Sequence, residues 1–76
     1  MNDHYKRGSL QTIQRLQELL TAEQFEGFCR GNVLKYAERA GYKGDEADDV
    51  DKLIDYARWW RQSVKGEKIT VNAEVF

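Results

Sequence analysis

Two connections in this chain are so short that they leave its helices little choice but to fold back on one another. The first apolar pattern, "SLQTIQRLQELL", ends at Leu20, and the next opens at Ala22 with only Thr21 between them. Links of that length join antiparallel neighbours. In the first pattern Leu10, Ile13, Leu16 and Leu20 recur at steps of three and four, one face of a helix, with Ser9 as its N-cap. Thr21 and Gln24 have the spacing of a capping box for the second helix. Its stripe is Phe25, Phe28, Cys29, Val33, Tyr36, Ala37 and Ala40, and Gly41 suits a left-handed residue just past its end.

"YKGD" makes the second turn, and Asp45 caps a third helix with the stripe Ala47, Val50, Leu53, Ile54, Ala57, Trp60 and Val64, closing before Gly66. Glu46, Asp48, Asp49, Asp51 and Asp55 lie early in that helix and Arg58, Arg61 and Lys65 late, the order its macrodipole favours. Tyr56 and Trp59 fall off the stripe. The tail "KITVNAEVF" alternates Ile69, Val71, Ala73 and Val75 with polar residues, a strand pattern. A lone strand cannot satisfy its own backbone. The expected fold is therefore one mainly α domain over residues 1–76: an arm at 1–8, helices at 9–20, 22–40 and 46–65, and a strand at 68–75 pairing with the N-terminal arm or another protomer.

A chain of 76 residues buries only about 60–65% of its unfolded surface, so a homo-oligomer is expected. Twelve Lys and Arg against thirteen Asp and Glu leave a formal charge of -1, which argues against general nucleic-acid binding and against an acidic DNA mimic alike. Cys29 is the only cysteine; it allows neither an internal disulfide nor a cysteine-based zinc cluster, and fits a reducing cytosol. No run approaches the length of a membrane span or a signal sequence. No G-x-x-x-x-G-K-[ST] loop occurs, so a kinase of that type would lack its phosphate cradle. Nor does any order of Ser, His and Asp support nucleophilic catalysis.

Polar residues of the second helix raise a different possibility. Gly27, Gly31, Lys35 and Arg39, four apart, share one face, where the glycines admit a ligand or another backbone and the two cations suit a phosphate. The alternative is close helix packing at the glycines, with Lys35 and Arg39 solvated or paired to acids of the third helix. Asn32 sits within the apolar stripe and either satisfies its amide internally or presents it to something bound. In the arm, "DHYKRG" offers the imidazole of His4, the ring of Tyr5 and the charge of Lys6. One His without Cys partners makes a poor zinc site, so no metal is assigned. Carboxylates at the start of the third helix suggest a Mg²⁺-dependent hydrolase using Asp48 and Asp51, with Glu23 and Glu26 as helpers. Dipole complementarity explains the same acids without it. Tyr56 and Trp59 read as a subunit or partner interface, or as cover for the core edge.

Taken together, "DHYKRGSLQTIQ", "FEGFCRGNVLKYAERAGYKG" and "DDVDKLIDYARWW" resemble the small bacteriophage proteins grouped as domain of unknown function 3310, sometimes labelled nucleotide kinases. The shared pattern is carried by His4, Tyr5, Lys6, Gly31, Asn32, Lys35, Tyr36, Arg39 and Gly41. The resemblance implies a phage accessory protein acting in the cytoplasm of the bacterial host, with these polar residues in one site. The expectation that follows is a binding module rather than an enzyme, without cofactor or metal. It would take a phosphorylated small molecule such as a nucleotide on His4, Tyr5, Lys6, Gly31, Asn32, Lys35, Tyr36 and Arg39. A host-protein interaction module using Tyr56, Trp59 and the strand edge of residues 69–75, and the Mg²⁺-dependent nucleotide hydrolase, are the alternatives.

Overall fold

The computed structural model describes residues 12–69. Within them α1 covers 12–19, α2 is Ala22–Arg39 and α3 is Glu46–Val64. The arm and its His4, Tyr5 and Lys6 lie outside the described residues, as do 70–75 of the expected strand. No described helix is long and apolar enough to cross a membrane.

Local chemistry sets each helix end. At the start of α2 the Gln24 backbone N–H donates to Thr21 Oγ1 at 3.1 Å while the Thr21 N–H donates to Gln24 Oε1 at 3.0 Å, a reciprocal capping box. The far end of α2 leaves through a tight turn. Ala40 takes φ -56° and ψ 129°, Gly41 takes φ +87°, and the Tyr42 N–H donates to the Arg39 carbonyl at 2.9 Å, which is type II geometry. Asp45 Oδ1 accepts from the Ala47 N–H to cap α3. Gly66, at φ +75°, closes α3: its N–H reaches the Ser63 carbonyl and the Glu67 N–H reaches Gln62, the paired bonds of a Schellman motif.

Helices α2 and α3 pack antiparallel, and their contacts run as rungs along the seam. Ser63 Oγ donates to Glu26 Oε2 at 2.9 Å, the Arg30 guanidinium lies 4.9 Å from the Trp60 ring centre, and Tyr36 stacks on Tyr56 at 5.9 Å. Arg39 meets Asp49 at the last rung. Beneath the seam Ile13, Phe25, Cys29, Trp59 and Ile69 form the buried core, with Leu16, Leu20, Phe28, Tyr56 and Trp60 against it. Tyr56 is the hub of the aromatic set, edge-on to both Phe28 and Trp59.

Two expectations need correction. The described residues contain no β-strand: 68 and 69, which were to open the β element expected over 68–75 of the mainly α fold, are not in strand, and 70–75 lie outside the described residues. At residues 67 and 69 backbone groups are satisfied instead by glutamine side chains of α1. Gln17 accepts from the Ile69 N–H at 2.8 Å and donates to the Glu67 carbonyl at 2.9 Å, and Gln14 donates to the Ile69 carbonyl at 3.2 Å. One amide thus does for residues 67 and 69 what a neighbouring strand would do.

The second correction concerns the rotation of α3. Its inward face carries Asp49, Tyr56 and Trp59, whereas Val50, Ile54 and Val64 of the expected stripe are exposed. Burying aromatic rings, at roughly 150–250 Å² each, outweighs burying the smaller Val and Ile side chains. The helix turns to favour its aromatics.

Candidate functional site

The ring of Tyr36 gathers cations from both long helices. On α2, Lys35 Nζ lies 5.0 Å and the Arg39 guanidinium carbon 5.9 Å from the ring centre. From α3, Lys52 Nζ lies 5.8 Å from the same point. The three charged heads are therefore no more than twice 5.9 Å apart. The face of a tyrosine attracts each of them, and the stacked Tyr56 fixes the ring they share.

Charge in this cluster is not balanced. Asp49 contributes one carboxylate, its Oδ1 lying 3.4 Å from Arg39 Nε. Neither Lys35 nor Lys52 is paired with a carboxylate among the described residues. Two ammonium groups remain over a ring that is only half-buried, and an anion seated between them would relieve their mutual repulsion. Lysine ammoniums and an arginine fork are a fitting donor set for phosphate oxygens.

Asp49 is unusual in a second way. It is 1% exposed, and its Oδ2 has no hydrogen-bond partner among the described residues. The carboxylate thus holds Arg39 from the inside of the fold, while the arginine side chain stays 45% exposed on the outside. This arrangement anchors the guanidinium through Nε and leaves the arginine side chain half-exposed.

The expected site residues are treated unequally by the structure. Lys35, Tyr36 and Arg39 come together. Asn32 turns away, its Nδ2 donating to the Phe28 carbonyl at 3.0 Å within its own helix. A side chain added at Gly31 or Gly27 would meet nothing within 4 Å, so both glycines face open space rather than the cation cluster. His4, Tyr5 and Lys6 are outside the described residues. Tyr56 and Trp59 point into the molecule, Trp59 at 8% exposure, where a docking partner cannot reach it without opening the core. Of the acids considered for Mg²⁺, Asp48 and Asp51 are exposed and Asp49 is committed to Arg39. Among the described residues no three metal-binding side chains converge.

Lys52 is the site residue that the sequence reading passed over. Asp49, Lys52 and Tyr56 follow one another at steps of three and four along α3, so a line drawn through the inward-facing aromatic picks out the cation.

Comparison with known proteins places the chain. The family model described as Protein of unknown function (DUF3310) matches residues 1–58, and the chain belongs to that family of bacteriophage proteins. It is 45% identical over 38 residues to Nucleotide kinase gp1.7 of Escherichia phage T7, covering 50% of this chain and 19% of that protein. To the Gene 1.7 protein of Enterobacteria phage T3 it is 35% identical over 54 residues, 71% of this chain and 32% of the relative. The chain thus spans a third or less of the length of these curated relatives. No solved structure matches it.

Proposed function

We propose that this member of the DUF3310 family is a phage accessory protein that binds the phosphate of a nucleotide at Lys35, Arg39 and Lys52, around the ring of Tyr36. The observation that carries the reading is the convergence of three cations on one ring, of which, among the described residues, only Arg39 is paired directly with a carboxylate. The name of the T7 relative supplies the ligand class. In this reading Lys35 and Lys52 hold phosphate oxygens as point charges, Arg39 offers its remaining guanidinium donors, and Asp49 holds it through Nε. The role is binding, to modulate or sequester the nucleotide in the host cytoplasm.

A thermal-shift series with nucleoside mono-, di- and triphosphates tests this reading, since a ligand that binds only the folded state raises its melting temperature. Stabilisation by phosphorylated forms and not by the parent nucleosides is expected, with the shift lost in Lys52→Ala. Equal response to the nucleosides would remove the phosphate from the account.

A second reading, phosphoryl transfer, is favoured by the same relative's name. It is tested by incubating the chain with ATP, Mg²⁺ and each nucleoside monophosphate and looking for the diphosphate. The binding reading predicts none from this chain, and sustained turnover lost in Lys52→Ala would replace it.

A further inference from the structure

Tyr42 stands apart from the other described aromatic residues. Phe25, Phe28, Tyr36, Tyr56 and Trp59 are joined by ring-to-ring contacts, and the Trp60 ring carries Arg30. The ring of Tyr42 is 89% exposed and makes neither a ring contact nor a cation contact among the described residues. Its backbone, by contrast, is fixed. The Tyr42 N–H donates to the Arg39 carbonyl at 2.9 Å across the turn that Gly41 makes at φ +87°. Such a turn holds its first and last Cα atoms within about 7 Å of each other. Tyr42 is therefore anchored immediately beside Arg39, one of the three cations around Tyr36.

Charges around this turn give a bound nucleotide one direction. Asp45, Glu46 and Asp48 are exposed there, with Lys43 as the one cation between Gly41 and Asp48. The Glu46 carboxylate rests on the turn itself, 3.6–3.7 Å from where a side chain at Gly41 would begin, and is paired with no cation among the described residues. A phosphate is repelled from that end and drawn toward Lys35 and Lys52, whereas an uncharged base is not repelled. Tyr36 is already stacked on Tyr56 and approached by cations, so the free aromatic surface next to the cluster is that of Tyr42.

We infer that Tyr42 is the platform on which the base of the bound nucleotide stacks, its phosphate lying at Lys35, Arg39 and Lys52. The inference rests on the phosphate reading above and adds recognition of the base. Stacking on an aromatic ring tolerates any base, because every base has a π-face. Such a surface selects nucleotides over bare sugar phosphates without choosing strongly among the bases.

The test is isothermal titration of the full chain with the monophosphates of adenosine, guanosine, cytidine, uridine and thymidine, and with ribose 5-phosphate, which keeps sugar and phosphate but has no base. The monophosphates should bind at least about fivefold more tightly than ribose 5-phosphate. Tyr42→Ala should bring their affinity down to that of ribose 5-phosphate, and Tyr42→Phe, which keeps the ring, should retain the difference. An 89% exposed side chain leaves the fold little to lose in either variant. Monophosphates that bind no more tightly than ribose 5-phosphate, or an advantage that survives in Tyr42→Ala or disappears in Tyr42→Phe, would overturn the stacking role and leave the phosphate site standing. Absence of binding by ribose 5-phosphate and by every monophosphate would overturn both.

Discussion

Asp49, buried to 1% exposure, holds Arg39 through a 3.4 Å contact between its Oδ1 and the arginine Nε, joining the last turn of α2 to the first turn of α3. The two partners are not equivalent. Removing Arg39 leaves a buried carboxylate without its ion-pair partner and with Oδ2 unbonded among the described residues, whereas removing Asp49 leaves a half-exposed guanidinium that water can solvate. Arg39→Ala should therefore destabilise by about 1–3 kcal/mol, more than Asp49→Ala, and the double variant should recover part of the loss. Urea denaturation of the four proteins in this cycle measures it; equal costs for the two single variants would contradict the asymmetry.

Cys29 makes stability depend on alkaline pH. Burial, and secondarily the Glu26 carboxylate, push its thiol up from 9.0 to about 11. The unfolded thiol loses its proton at lower pH than the folded one, so the stabilisation is complete below pH 9.0 and is lost as pH rises toward about 11. The loss amounts to roughly 2–3 kcal/mol. Comparing urea midpoints of the wild-type chain and Cys29→Ala across that interval isolates the effect from other titrating groups. An alkaline loss of the same size in Cys29→Ala would assign it elsewhere.

The glutamine clamp on the residues after α3 is open to deletion. Gln17→Ala strands the N–H of Ile69, a residue 3% exposed, and should cost about 1–3 kcal/mol. Gln14→Ala removes one donor to a carbonyl and should cost less. Amide exchange at Ile69 reads the same contact locally: in Gln17→Ala its protection should fall before that of the helices. Unchanged protection would mean that the clamp contributes nothing.

Gly27 and Gly31 stand in the interior of α2 facing open space. Alanine at either position should stabilise by about 0.5–1 kcal/mol through lower backbone entropy in the unfolded chain. At Gly66, where φ is +75°, the same change should destabilise by about 1–2 kcal/mol. Melting temperatures of the three variants suffice. If Gly31→Ala proved destabilising, a partner or ligand close to that helix face would be required.

The sequence made the helix ends readable because they are decided locally. Thr21 with Gln24, Asp45, Gly41 and Gly66 each act through bonds within a few residues, and each stands in the structure where its chemistry implies. What the sequence did not disclose depends on tertiary competition. Counting apolar residues on α3 chose the face of Val50 and Ile54, but ring area decides, and Tyr56 and Trp59 turned inward. The strand reading of the tail failed for a similar reason at Ile69, whose backbone found glutamine side chains on α1, partners some fifty residues away that no local pattern announces. Of the candidate site, Lys35 and Arg39 were legible as a spaced pair of cations. Lys52 was not, because its partner Tyr36 belongs to a different helix.

Binding of a nucleotide's phosphate at Lys35, Arg39 and Lys52 is most directly tested by isothermal titration of the chain with a nucleoside monophosphate and with its unphosphorylated nucleoside. Lys35→Ala and Lys52→Ala run alongside, since neither lysine is paired with a carboxylate whose loss would unsettle the fold. The account predicts saturable heat with the monophosphate alone, weakened at least tenfold in each lysine variant, as expected when a charged hydrogen bond worth about 1.5–3 kcal/mol is removed. Binding of the nucleoside with equal affinity, or of the monophosphate undiminished in both variants, would contradict it.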